Sequence, residues 1–233
     1  MPSQQIFAPA ALNSQGLNLQ AVFNIEQLPA PLRQQLGELV EALTDYKQLI
    51  LIAHGGRDMW NALDEHAWRA EQPIDQASSA NIRRWFKHNY PTKAHRLVYP
   101  SHAPINLQAL GELAGWHYPS PFLVGINHTW GSWFAYRAVL LTDTDFAQTA
   151  SEKGQSPCTS CQRKPCIERC PAQACGLDTF NMTACMSYRQ TENSKCQHTC
   201  LAREACPVAK PQQYSQQQMQ YHYGVSMRMI KDS

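Results

Sequence analysis

The residues best placed to do chemistry are nine cysteines, all between Cys158 and Cys206; the first 157 residues contain none. They fall into two groups. The first reads Cys158-x2-Cys161-x4-Cys166-x3-Cys170-Pro171; the second reads Cys185, then Cys196-x3-Cys200-x5-Cys206-Pro207. A disulfide framework belongs to an oxidising compartment and usually to chains below about 100 residues. Met1-Pro2-Ser3-Gln4-Gln5 shows no basic region followed by an apolar core, so a cytoplasmic location is expected. In a reducing cytosol so dense a thiol block points to metal. Two metal chemistries are open. Four-cysteine zinc sites use separated C-x2–4-C knuckles, and only Cys158-x2-Cys161 has that form at the head of a group. Iron–sulfur clusters favour short runs closed by Cys-Pro, and both groups close that way.

The two groups resemble the C-x2-C-x2-C-x3-C-P run of two-cluster bacterial ferredoxins, whose closing cysteine serves the neighbouring cluster. This resemblance implies one [4Fe–4S] cluster on Cys158, Cys161, Cys166 and Cys206. It implies a second on Cys170, Cys185, Cys196 and Cys200, and leaves Cys175 as a small buried hydrophobe. The gaps of four, three and five residues are looser than the ferredoxin run and read as loop bulges. Residues 151–210 hold eight Lys/Arg and five Asp/Glu, a formal +3. Two thiolate-bound clusters of about −2 each would bring this to about −1. Lys153, Arg163, Lys164, Arg169 and Arg203 then offset thiolates rather than recruit nucleic acid.

The elements that must carry this block follow from composition and periodicity. With 43% hydrophobic residues the 233-residue chain has enough apolar surface for a core. The longest apolar run, Leu49–Ala53, is far short of the ~20 residues of a membrane span. Charged residues make up 16%, with 23 Gln filling part of the gap, and the net charge is +2, so no DNA or membrane partner is expected. Strands are predicted at 21–25, 48–53, 96–99 and 133–141, and helices at 31–44, 58–69, 79–89 and 107–114. Their βαβ-like order implies an α/β layered domain. The residues at 214–230 place Met219, Tyr223, Met227 and Ile230 on one helical stripe, read as packing back over the domain junction. The expected domains are 1–150, a possible cofactor-binding domain; 151–210, the iron–sulfur domain; and 211–233, the C-terminal helix.

Candidate ligand contacts lie in the first part. His54-Gly55-Gly56-Arg57 follows a strand predicted to be buried, where ligands bind in open α/β sheets; a tight turn with positive φ is the alternative reading. Aromatic and imidazole side chains crowd 116–136, among them His117, His128, Trp130 and Trp133. Together these would suit the wall of a pocket for a large flat cofactor, although packing is the simpler role for each alone.

Leu110-Gly111-Glu112-Leu113-Ala114-Gly115-Trp116, Gly131-Ser132-Trp133-Phe134 and Leu141-Thr142-Asp143 resemble epoxyqueuosine reductase and its reductive-dehalogenase relatives. Trp133-Phe134-Ala135-Tyr136-Arg137 is also similar to cobalamin-processing (decyanating) proteins. In layout the chain resembles bacterial ferredoxin-like proteins, through Gly55-Gly56-Arg57-Asp58-Met59-Trp60 and Cys200–Pro207. The resemblance implies a nitroreductase-like, corrinoid-reductase-like α/β (α+β) domain followed by a small ferredoxin-like domain with two [4Fe–4S] clusters. It also implies a corrinoid (cobalamin) as a possible further cofactor. In the epoxyqueuosine family an Asp-Ser-Ala-Pro segment carries the proposed proton donor. The matching place reads Pro100-Ser101-His102-Ala103-Pro104, so His102 is the candidate catalytic donor and tRNA is not the expected substrate. The leading expectation is an oxidoreductase passing single electrons from the clusters to a cofactor or small substrate, fed by a reductase, flavodoxin or ferredoxin-type donor. The alternatives are an electron carrier without its own organic cofactor and a zinc-stabilised binding module.

Overall fold

A computed structural model of the chain describes residues 5–101, 104–150 and 154–231. The chain divides into two compact units, Met1–Ala114 with Phe134–Glu152, and Gly115–Trp133 with Lys153–Ser233.

The first unit is built on strands β1 (Leu19–Asn24), β2 (Gln48–Gly55), β3 (His95–Tyr99) and β4 (Phe134–Thr142), in sheet order β1-β2-β4-β3. All eight residues of β2 are buried, as its apolar run predicts. Every strand pairing is antiparallel, which corrects the βαβ-like expectation. An unbroken apolar run reports cover on both faces and carries no information about direction. Helix α1 (Ala30–Leu39) buries Leu32 and Leu36 and stops five residues short of the predicted end, because Val40 turns extended. Helix α2 (Pro73–Asn89) starts six residues earlier than predicted. Pro73 and Asp75 suit its first turn, Lys87 and His88 its last, and Ile74, Ser78, Ile82, Trp85 and Phe86 form its buried stripe. The helix predicted over 58–69 is two short ones, Asp58–Ala62 and Glu65–Trp68. Helix α3 (Leu107–Leu113) is capped by the Asn106 side chain, which accepts from the Ala109 N–H.

The second unit takes in residues 115–133, which the sequence groups with the first domain. It contains single helical turns at Pro157–Ser160, Pro165–Glu168 and Leu201–Glu204, and the longer helices α4 (Met182–Gln190) and α5 (Gln216–Lys231). Among the described residues its β structure is limited to isolated bridges such as Tyr118↔Ile126 and Cys175↔Phe180. Its core includes Phe122, Ile126, Cys166, Cys175, Ala202 and Cys206. Gly131 explains why 115–133 belong here. Its φ of +57° favours glycine, and a Cβ there would lie 2.5 Å from the Val208 carbonyl oxygen, just past Cys206-Pro207. The predicted strand 133–141 accordingly begins at Phe134, while Trp133 packs with Tyr214 and Met219 in the second unit. Helix α5 belongs to that same cluster.

Candidate metal centre and polar cleft

The cysteine loops in the second unit sort the thiols by proximity. Burial pushes the Cys166 thiol up to about 11, and Cys206, Cys158 and Cys161 add to the rise. Burial also raises Cys206, with Cys158 and Cys161 as its thiol neighbours, and raises Cys158, with Cys161 as its neighbour. The other thiols face mainly one another, although Cys170 and Cys200 share one packed core with Cys158, Cys166 and Cys206. Burial raises Cys185, whose thiol neighbours are Cys200, Cys170 and Cys196. Burial raises Cys196 too, beside Cys200 and Cys170. Two sets of four emerge: Cys158, Cys161, Cys166 and Cys206, and Cys170, Cys185, Cys196 and Cys200. Cys175 stands between them, its thiol raised by burial and next by Cys170, with Cys200 and Cys166 also in reach. Cys170 behaves differently. Burial pushes it up, but N–H groups of Ala174, Cys175 and Ala172 and the Cys175 thiol point at its sulfur and bring it below its ordinary value. Among the described residues, no three His, Cys, Asp or Glu side chains converge closely enough to hold a single metal ion.

Local geometry fixes these loops. Pro157 and Pro165 each open a one-turn helix. Lys164, with φ of 41°, sends its ammonium back to donate to the carbonyls of Cys158 and Cys161, at 2.8 and 2.9 Å. Two arginines are buried beside the sets, each only 7% exposed. Arg189 donates through Nε to the Cys196 carbonyl at 3.1 Å and through its terminal nitrogens to Ser226 and the Tyr223 carbonyl on α5. Arg203 donates to the Ser132 hydroxyl and carbonyl and lies over the rings of Trp133 and Tyr214, at 4.5 and 5.0 Å. Neither guanidinium forms an ion pair with a carboxylate among the described residues. Residues 154–231 hold nine Lys/Arg against four Asp/Glu.

In the first unit, the end of β2 meets a polar chain. Arg137 on β4 donates from Nε to His54 Nδ1 at 3.0 Å, so His54 carries no proton on that nitrogen. The same guanidinium pairs with Asp75 on α2 at 3.1 Å. Asp75 opens onto a cleft of about 680 Å³ lined also by Gln72, Arg83, Tyr99 and Ser101. Burial pushes the Tyr99 phenol up, against the lowering effect of Arg137.

The candidate cofactor residues divide between the units. His54, Gly55 and Gly56 are buried at the end of β2, with Arg57 exposed beyond them. Gly56 has φ of +71°, the left-handed turn expected there. In the second unit, His117 is buried with its ring against Gly125, where a Cβ would lie 2.3 Å from Nδ1. The His128 Nε2 is 2.9 Å from the Gln155 carbonyl, and the Trp130 N–H donates to Asn127. Trp133 is fully buried beneath Arg203. His102 lies outside the described residues. Sequence reasoning missed Asp75, Arg137, Arg189 and Tyr223. The available signal was a polar residue inside an apolar run, as in Ala135-Tyr136-Arg137-Ala138-Val139.

No family model and no curated protein sequence matches the chain. Solved structures do. The chain is similar to epoxyqueuosine reductase from Streptococcus thermophilus, with 14% identity over 86% of this chain and 65% of that one, at a TM-score of 0.54. It is similar to the C. elegans B12-trafficking protein CblC, with 15% identity over 92% of this chain and 88% of that one, at 0.50. A catabolic reductive dehalogenase matches at 12% identity over 93% of this chain and 33% of its own length, at 0.51. The chain therefore spans about two thirds of the length of that epoxyqueuosine reductase and shares with all three proteins a mixed α/β fold.

Proposed function

We propose that the chain is an iron–sulfur redox protein holding two [4Fe–4S] clusters, one on Cys158, Cys161, Cys166 and Cys206 and one on Cys170, Cys185, Cys196 and Cys200. The observation that carries this reading is the division of eight thiols into two neighbourhoods of four, the same division that the crossed ferredoxin pattern implies. Spread rather than convergent thiols suit a cubane, which presents a separate iron to each cysteine. A single zinc would draw four sulfurs to within about 4 Å of one another. Buried Arg189 and Arg203 supply positive charge that a thiolate-bound cluster of net negative charge would balance. When bound, such clusters supply single electrons at low potential.

The cleft beside Tyr99 and Ser101 would then receive a small polar substrate or a cofactor edge. Asp75, paired with Arg137, lines that cleft as a hydrogen-bond acceptor, and His102 follows Ser101 in the chain as the candidate proton donor. The fold neighbours include proteins described by B12 trafficking and B12-dependent dehalogenation, which favours a corrinoid as the flat cofactor. Gly55 does not offer its backbone to such a ring, because its N–H and carbonyl are both bonded to the Asn18 side chain. The His54 Nδ1 is already an acceptor for Arg137, and His128 Nε2 is tied to Gln155, so neither atom is offered to cobalt. The same commitments favour the second reading, an electron carrier without its own organic cofactor. One neighbour structure contains a tRNA stem loop; the absence of Asp from the segment Pro100–Pro104 argues for a different substrate here.

Two measurements test the proposal. Dithionite reduction under anaerobic conditions should give electron paramagnetic resonance signals of two reduced [4Fe–4S] clusters, and a signal-free protein containing zinc would overturn it. Calorimetric titration with cobalamin should give a saturable heat for the corrinoid reading. No heat under reducing and oxidising conditions would leave the carrier.

A further inference from the structure

The two thiol sets have different surroundings. Around the first, the cations are lysines: Lys164, half-buried and tied to the Cys158 and Cys161 carbonyls, and exposed Lys210 beside Cys206. Its sulfurs also face the N–H groups of Ile167 and Val208 and the side chain of Ser156. Around the second, the cations are buried arginines: Arg189, 7% exposed and facing Cys185 and Cys196, and Arg203, equally buried and bonded to the Tyr223 hydroxyl. Three N–H groups and the Cys175 thiol converge on Cys170, the Leu201 N–H faces Cys196, and the Tyr223 hydroxyl faces Cys200. Cys175 is 8% exposed and packed among Cys166, Cys170 and Cys200, which excludes water from that side.

Helix α5 assembles part of this environment. Tyr223 and Ser226 accept the two terminal nitrogens of Arg189, at 3.1 and 3.0 Å, and the Tyr223 ring lies 5.3 Å from the guanidinium. The arginine is buried and held against the second set, whereas Lys210 beside the first set is exposed to solvent and Lys164 is half-buried. Reduction adds one negative charge to a cluster. A buried cation and donors aimed at the sulfurs stabilise that charge more than half-buried and exposed lysines do.

Resting on the two-cluster reading, we propose that Arg189 and Tyr223, fixed by α5, hold the second cluster at a higher reduction potential than the first. The first electron delivered by dithionite then takes the second cluster's core from 2+ to 1+ while the first cluster stays at 2+. The next electron reduces the first.

The test is a potentiometric titration of the cluster-loaded full chain, followed by electron paramagnetic resonance. The native protein should show two one-electron waves, and Cys196→Ala should remove the higher one. Arg189→Met should lower only the higher wave, by a factor of about ten in its reduction equilibrium, or about 59 mV for one electron. Arg189→Lys should recover part of that shift, and Tyr223→Phe should move the same wave by less. Should Arg189→Met fail to fold, Tyr223→Phe still decides the matter, since it keeps the ring and the backbone carbonyl that accepts from Arg189. The proposal is overturned if the higher wave survives Cys196→Ala, or if these variants move both waves or neither. A native protein without iron and sulfide instead overturns the two-cluster reading itself.

Discussion

Each unit of this molecule buries arginine, and the two do so differently. In the first, Arg137 meets the Asp75 carboxylate at 3.1 Å and His54 at 3.0 Å, so its charge is balanced within the chain. In the second, Arg189 and Arg203 are equally buried but meet carbonyls, hydroxyls and aromatic faces. A buried cation is tolerated when something opposes it. In the sheet unit that counter-charge is a side chain. In the cysteine unit neither guanidinium pairs with a carboxylate among the described residues, and the thiols facing Arg189 are groups whose ionisation low-dielectric burial disfavours unless metal binds them. The contrast is that the buried arginine of the sheet unit has its counter-charge in the chain, whereas for Arg189 and Arg203 the proposed clusters would supply it.

The largest expected effect breaks that contrast at the metal. Cys196→Ala should lower iron by about four per chain, because one cluster loses a corner, whereas Cys175→Ala should leave iron unchanged. Iron analysis of both variants checks this, and equal loss in the two would dissolve the partition into fours. Next comes Arg203→Met. Thermal unfolding of the loaded protein should show a loss of about 2–3 kcal/mol from the missing hydrogen bonds and ring contacts. In chelator-stripped protein the same substitution should cost much less, since the cation it removes is then unopposed. Equal cost in both forms would mean that Arg203 answers to no bound charge.

Gly131→Ala should destabilise the second unit by about 1–3 kcal/mol, through its positive φ and the collision with the Val208 carbonyl. Hydrogen exchange at Cys206–Val208 would rise if Gly131 anchors that closing turn. The smallest effect belongs to the self-balanced unit. Asp75→Asn should cost about 1–2 kcal/mol, because Asp75 is partly exposed and water can reach Arg137, and metal content should not change. A drop in iron with Asp75→Asn would show that the charge ledgers of the units are not separate.

Much of this arrangement is legible in the sequence for identifiable reasons. Cys-Pro closures are local, so the two cysteine groups are visible in the sequence, while the sorting of eight thiols into fours is what the ferredoxin resemblance implies. Also local is β2, whose apolar run survives as eight buried residues. What stayed hidden is non-local. Strand direction leaves no trace in an apolar run. The partner of His54 is 83 residues away, and the residue that requires glycine at 131 is Val208. Trp133 belongs to an aromatic group that together would suit a pocket wall, yet it packs as a single side chain with its face taken by Arg203, 70 positions further along the chain. Arg189 sits in a helix of ordinary amphipathic pattern, and only the return of α5 shows that it is buried.

The central claim is that the thiols hold two iron–sulfur clusters. Its most direct test is the count of iron, acid-labile sulfide, zinc and cobalt per chain after anaerobic purification. About eight irons and eight sulfides are expected, with the colour of an iron–sulfur protein. A colourless protein with about two zincs and no sulfide would contradict it and leave a zinc-stabilised binding module.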